Sequence, residues 1–357
     1  MRPSVGMTTD YLLDPSLAFL NHGSYGACPR AVLDVYQDWQ RELERNPVEL
    51  IARRLEGLLD EVRAELAEFV GADIETLALA QNATSALNAV IRSLPLDPGD
   101  EILTTWHEYG ALVRTWEFVG ATLVRVEPEE LASAIGPRTR AVFLSHITSP
   151  TALELPAAEV CAAARAAGVL SLVDGAHAPG HVPLDLRRLG ADVYAGNCHK
   201  WLAAPKGTGF LCVRPEEQGW LAPLVVSWGW EEGASFSRRH TWQATRDPSA
   251  YLAIPAGIAA TKRIDHAEQR ALADRGVELL AELGLSPVAG TPAPLMRALE
   301  LETREPDSLQ KLLLAEHGVE VIVREWEGRS LVRFSVGPYV SESDLVRLRD
   351  GLAALVA

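Results

Sequence analysis

The sequence predicts an α/β fold built on a mostly parallel sheet, followed by a smaller α+β portion. Two patterns carry this. Across residues 70–215 short apolar runs alternate with helical patterns, as parallel strands joined by crossover helices require. Beyond residue 215 that alternation stops, and helices and strands follow in a different order. The length agrees: 357 residues, 48% hydrophobic and 23% charged, are enough for two packed units.

Each element has its own signal. The N-terminal stretch reads as an arm over residues 1–20, ending in the apolar run Leu17-Ala-Phe-Leu20, and residues 21–26 (NHGSYG) read as a tight loop. After Pro29 a helix is expected, with an apolar stripe at Val32, Val35, Tyr36 and Trp39. A second helix, over 48–70, stops at Gly71. Residues 76–80 form a strand that leads into a helix through Asn82, Thr84 and Ser85. Those residues suit an ordinary cap, and equally a phosphate held by the free N–H groups of a helix N-terminus. Further strands are expected at 101–105, 121–126 and 141–144. The first of these ends in Trp106-His-Glu-Tyr-Gly110, with Trp106 expected in core packing, and the last ends in Ser145-His-Ile-Thr-Ser-Pro150.

An alanine-rich helix over 157–167 precedes two strands that stop at chemically useful groups: 169–173 at Asp174, and 192–195 at Asn197-Cys-His-Lys200. Residues 220–246 carry four tryptophans and read as an irregular loop. A long helix is expected over 251–283, then a proline-marked loop, a helix over 309–317, strands at 319–323 and 331–336, and a final helix. The expected division is an arm at 1–20, a large domain at 21–248 and a small domain at 249–357.

The chemistry narrows quickly. A net charge of −15 argues against nucleic acid as a partner. No apolar run has signal-peptide or membrane-spanning length, and the four cysteines show no CxxC spacing, so no membrane partner and a cytoplasmic address are expected. His177 and His181 are four apart, but Pro179 and Gly180 between them forbid the helix that would make a metal pair, so no metal is expected. No GxSxG elbow and no GxxxxGK[ST] loop occurs. An acid, a histidine and a lysine remain at the carboxyl edge of a parallel sheet, where ligands bind. They suit pyridoxal phosphate, which needs a lysine amine to bond and an acid to keep its ring nitrogen protonated. Only four lysines occur. Lys262 and Lys311 lie on amphipathic helical patterns and Lys206 in a turn, whereas Lys200 follows a strand.

Seven motifs carry a resemblance across nearly the whole chain: LNHGSYGACPRAV (20–32), QNATSALN (81–88), EYGALVRTW (108–116), SHITSPT (145–151), VDGAHAPG (173–180), NCHKWL (197–202) and RFSVGPY (333–339). The chain resembles fold-type I pyridoxal phosphate enzymes of the class V aminotransferase and cysteine desulfurase group, within it the isopenicillin N epimerase-like branch. The resemblance implies an aspartate aminotransferase-like fold with a seven-stranded sheet, a small amino-acid substrate and a homodimer with shared active sites. It makes Lys200 the lysine that bonds the cofactor and Asp174 the partner of the ring nitrogen. His177 and Ser149 would approach the phenolic oxygen, and Tyr109 would stack on the ring. Ala83, Thr84, Asn197 and His199 would cradle the phosphate, with Thr245 reaching that of the neighbouring subunit. Arg333 would grip the α-carboxylate, with His22 and Tyr25 beside the substrate. Two departures stand out: residues 317–332 contain no cysteine, and Val340 follows Tyr339 where relatives often carry asparagine. Amino-acid epimerization is the expected reaction, with C–S lysis and transamination as alternatives. A second acid for epimerization would come from His22, Tyr25 or His240.

Overall fold

A computed structural model describes residues 10–356; residues 1–9 of the expected arm lie outside the described residues. The centre is a seven-stranded sheet in the order β2 (Leu77–Ala80), β8 (Gly209–Val213), β7 (Val193–Asn197), β6 (Leu170–Gly175), β5 (Thr139–Ser145), β3 (Glu101–Thr105), β4 (Thr122–Val126), where β1 is the short strand Ala18–Phe19. Pairs among β7, β6, β5, β3 and β4 are parallel, and β8 runs antiparallel to both neighbours. Apart from the edge strand β4, these strands are largely buried on both faces, which explains their continuous apolar reading. One face packs the helices Leu55–Val70 and Ala157–Ala167, the other Ala83–Ser93 and Gly110–Phe118.

A second sheet follows, in the order β12 (Ile322–Trp326), β13 (Arg329–Ser335), β10 (Met296–Leu301), β9 (Ser286–Pro287), antiparallel throughout. It shares its own core with the helices His266–Ala281, Pro306–His317 and Glu342–Val356. Tyr11, Ala18 and Leu20 belong to that core, and β1 pairs in parallel with β11 (Val319–Glu320). The beginning of the described chain is thus tied to its last third.

Several local expectations change. Residues 21–26 hold one helical turn, His22–Tyr25, rather than an open loop: Ser24 Oγ donates to Asn21 Oδ1, and Gly26 closes the turn at φ 70°. The helix expected over 48–70 opens with π-helical turns at Glu49–Arg54. The long helix expected over 251–283 is three, Ser249–Leu252, Ile254–Thr261 and His266–Ala281. Pro255 has no N–H to continue the first, and Asp265 caps the third by accepting from the N–H groups of Ala267 and Glu268. Residues 319–326 split between β11 and β12 because they serve two partners, β1 and β13. Strand β10 lies in the stretch whose prolines suggested only a loop. Trp106 is not core: it is 43% exposed, with the Arg125 guanidinium 5.1 Å from its ring centroid.

Candidate active site

At the carboxyl edge of the large sheet, register sets Ser145 beside Asp174 and Asp174 beside Ala195. Asp174 is buried and its Oδ1 accepts from the Ala176 N–H at 2.9 Å. Burial raises its pKa, while the Ala176 N–H and the Lys200 ammonium oppose the rise. Lys200 stands just past the end of β7, its Nζ 3.1 Å from His177 Nε2. Its enclosed position and then the charge of Arg333 push the amine down to about 7, against the pull of Asp174. Trp201 Nε1 donates to His177 Nδ1 at 3.4 Å, which leaves the imidazole proton on Nε2, facing the lysine. Burial and then Lys200 hold His177 well below the usual histidine range, so it is neutral.

Next to this cluster the helix Ala83–Ser93 begins. Asn82 Oδ1 caps it by accepting from Ser85 N at 2.8 Å, and Asn197 Oδ1 accepts the Ala83 N–H at 2.8 Å. Gly209 permits that approach, since a Cβ there would stand 2.7 Å from the Gly196 oxygen and 2.9 Å from Asn82 Cα. Thr84 sits in the first turn, and His199 turns its Nδ1 to the Thr208 carbonyl, 3.0 Å away. Ala83, Asn197 and the Asp174–His177–Lys200 cluster therefore share one edge. Thr245 does not join them in a single chain: it is exposed, without a hydrogen bond to that cluster among the described residues.

The opposite wall belongs to the small sheet. Arg333, in the middle of β13, is buried and carries no carboxylate partner among the described residues. One NH2 group donates to the carbonyl oxygen of Ser149 at 2.5 Å and to its Oγ at 3.2 Å, and the other to Ser24 Oγ at 3.2 Å; Nε has no partner. Burial and then Arg324 push the guanidinium down to about 9, still cationic at neutral pH. Ser149 is thus found on Arg333. Tyr109 caps the helix Gly110–Phe118, is 40% exposed and interacts electrostatically with Arg333. His22 is buried, bonding the Tyr339 hydroxyl through Nδ1 (2.9 Å) and the Lys200 carbonyl oxygen through Nε2 (3.2 Å), whereas Tyr25 is 70% exposed.

Sequence reasoning missed Ser24, Trp201, Tyr339 and Glu108. Glu108 is buried, accepting from Thr105 Oγ1 and Ser145 Oγ, each at 2.7 Å, and burial raises it to about 7. Its available signal was an acid set between His107 and Tyr109 at a strand end. Among the described residues no group of His, Cys, Asp and Glu could hold a metal.

The donor set fits pyridoxal phosphate. An amine that loses its proton near neutrality, a buried carboxyl without a permanent cation and a helix N-terminus share one cleft, opposite a guanidinium that lacks its anion. The comparisons agree. The chain is 36% identical to an isopenicillin N epimerase of Streptomyces clavuligerus over 96% of both chains. It is 31% identical to a putative L-cysteine desulfhydrase of Oryza sativa over 76% of this chain and 62% of the other. A mutant of C-DES with glycine covalently linked to its pyridoxal phosphate cofactor superposes with a TM-score of 0.81 at 26% identity, over 95% of this chain and 97% of that one. The family model for class V aminotransferases matches residues 24–348. The chain belongs to the class V aminotransferase family and is an enzyme that works with pyridoxal phosphate.

Proposed function

We propose that this enzyme inverts the configuration at the α-carbon of an amino acid. The observation that carries the reading is the match to an isopenicillin N epimerase along 96% of both chains. The cleft supports it, because a guanidinium without a carboxylate lies near an amine whose proton affinity burial pushes down to about 7. The bound cofactor supplies an electron sink for negative charge at the α-carbon. Asp174 would hold the proton of its ring nitrogen, Tyr109 its ring face, and His177 and Ser149 its phenolic oxygen. Ala83, Thr84, Asn197 and His199 would hold its phosphate. Arg333 binds the α-carboxylate with two parallel N–H groups. Lys200 Nζ, as the free base, takes the α-proton from one face.

Inversion needs a donor on the other face. His22 has both ring nitrogens bonded, and His240 is buried against Phe236. Tyr25 follows Ser24, which bonds Arg333, and its phenol is exposed. We assign the second proton to Tyr25.

The reading includes an arm, large and small domains divided at 248/249, and a cytoplasmic homodimer. The partner subunit's Thr245 would complete the phosphate site. The exposed Val226, Trp228 and Trp230 support a covered face, and four free cysteines support a reducing compartment. Sedimentation velocity at micromolar concentration tests the dimer; a holoenzyme that stays monomeric rejects it.

C–S lysis is the second reading, favoured by the likeness to a cysteine desulfhydrase. Incubation with amino acids in deuterium oxide, followed by NMR, separates the two. Deuterium at Cα with inversion is the expected result, and Tyr25→Phe should keep the exchange while losing most of the inversion. Release of a thiol and pyruvate without inversion would replace epimerization with lysis.

A further inference from the structure

Beside the Arg333 wall lies a cavity of about 370 Å³, lined among others by Trp106, Tyr109, Arg125, Pro150, Arg324 and Trp326. It joins the two sheets. The first four residues follow strand ends of the large sheet or lie on its outer strand, and the last two are on β12. Trp326 Nε1 donates to the Trp106 carbonyl at 3.2 Å, and its ring lies 4.8 Å from that of His107.

Register fixes which way β12 faces. Ile322 is directly opposite Arg333, so the two share a face, and alternation puts Arg324 and Trp326 on that face as well. Val323, on the other face, is buried in the small-domain core. Arg324 is therefore the diagonal neighbour of Arg333, a spacing of about 7–8 Å between Cα atoms. Its charge acts on Arg333, lowering that guanidinium's pKa. Among the described residues neither Arg324 nor Arg125 forms an ion pair, and the Arg125 guanidinium lies over the Trp106 ring. Three acids line the cavity as well: Glu108 is held by Thr105 and Ser145, from which it accepts, and Glu325 and Glu327 are exposed, with no ion pair to Arg324 or Arg125 among the described residues. Two arginines set side by side on one face repel each other, and an anion between or beside them relieves that repulsion.

We propose that this cavity receives a second, remote acidic group of the substrate. The amino acid would carry a carboxylate at the end of its side chain, at glutamate length or longer. Arg324 would hold that carboxylate, and Trp106, Tyr109 and Trp326 would pack the apolar chain between the two acids. The inference rests on Arg333 as the anchor of the α-carboxylate.

Ligands without an amine test it free of any reaction. Isothermal titration of the holoenzyme with adipate and with hexanoate compares one acid group with two at equal chain length. Adipate should bind about tenfold tighter or more. In Arg324→Gln that preference should fall to about twofold or less with hexanoate unchanged, whereas Arg324→Lys should keep most of it. Equal affinities in the unmodified enzyme would overturn the proposal. So would a preference that survives Arg324→Gln, or an Arg324→Gln variant that weakens both acids alike, which would mean Arg324 acts only through Arg333. Should adipate be preferred while no amino acid exchanges its α-proton in deuterium oxide, the remote-acid site stands and the epimerase reading fails.

Discussion

Lys200 and Arg333 are both cations enclosed in the same cleft, and they are built to opposite ends. Lys200 follows a strand end, beside an acid and a neutral histidine, and its amine is pushed down to about 7. Arg333 sits in mid-strand, clamped by Ser149 and Ser24, and stays charged at neutral pH even though burial and Arg324 lower it to about 9. One position can gain and lose a proton under working conditions; the other cannot. A site that must move a proton at one atom and hold an anion at another needs this asymmetry. Both groups are lowered by their surroundings, but the guanidinium starts high enough to keep its proton, so the two residue types cannot be exchanged.

The sharpest way to break the comparison is at the lysine. Lys200→Ala should lower α-proton exchange by roughly 10²–10⁴-fold, the range for removing a positioned base, and should leave no cofactor that borohydride can fix to the protein. Ordinary exchange in that variant would place the base elsewhere. At the arginine the loss should appear in binding. Arg333→Gln should raise KM for an amino acid by roughly 10–100-fold, as expected when hydrogen bonds to a charged group are lost, with a smaller change in kcat. Arg333→Lys should not restore it, because one ammonium cannot serve Ser149, Ser24 and a carboxylate in a fixed plane. An unchanged KM would remove Arg333 as the anchor.

The contrast in proton affinity gives a pH test. Only the free amine bonds the cofactor, and Lys200 is shifted from 10.5 to about 7. Uptake of pyridoxal phosphate by apoprotein should therefore climb with pH, by about tenfold per unit below 7, and level off above about 8. A midpoint near the ordinary lysine value would show that the enclosed site does not act on Lys200. The smallest expected effect is at Ser24. Ser24→Ala removes one neutral donor–acceptor pair from Arg333 and should raise KM by about 2–10-fold while leaving borohydride labelling of Lys200 intact.

The two halves of the site were not equally legible in the sequence. Lys200, Asp174 and Asn197 stand at the ends of apolar runs, and a polar group that stops a buried strand is visible in one dimension. Arg333 interrupts an apolar strand without any local sign of its partners; only the resemblance pointed to it. Ser24, Trp201, Tyr339 and Arg324 were invisible because their contacts join residues far apart, such as His22 with Tyr339 and Arg333 with Ser24. Trp106 misled because aromatic character at a strand end does not distinguish core from cleft rim. Strand β10 was hidden by Pro292 and Pro294 just before it and by Arg297 within it, a buried side chain paired with Asp274 that breaks the apolar pattern.

The pairing of β1 with β11 also sets the order in which the protein can be made. Ala18 and Phe19 emerge from the ribosome about 300 residues ahead of Val319 and Glu320, with which they pair. At 5–20 residues per second that is a wait of roughly 15–60 s. During it the large sheet can close around Lys200, but the turn carrying His22 and Ser24 has no Ser335, Tyr339 or Arg333 to dock against. The wall around Arg333 thus forms only after the large sheet can. A chain released before residue 319 would keep Lys200 and Asp174 but lack Arg333.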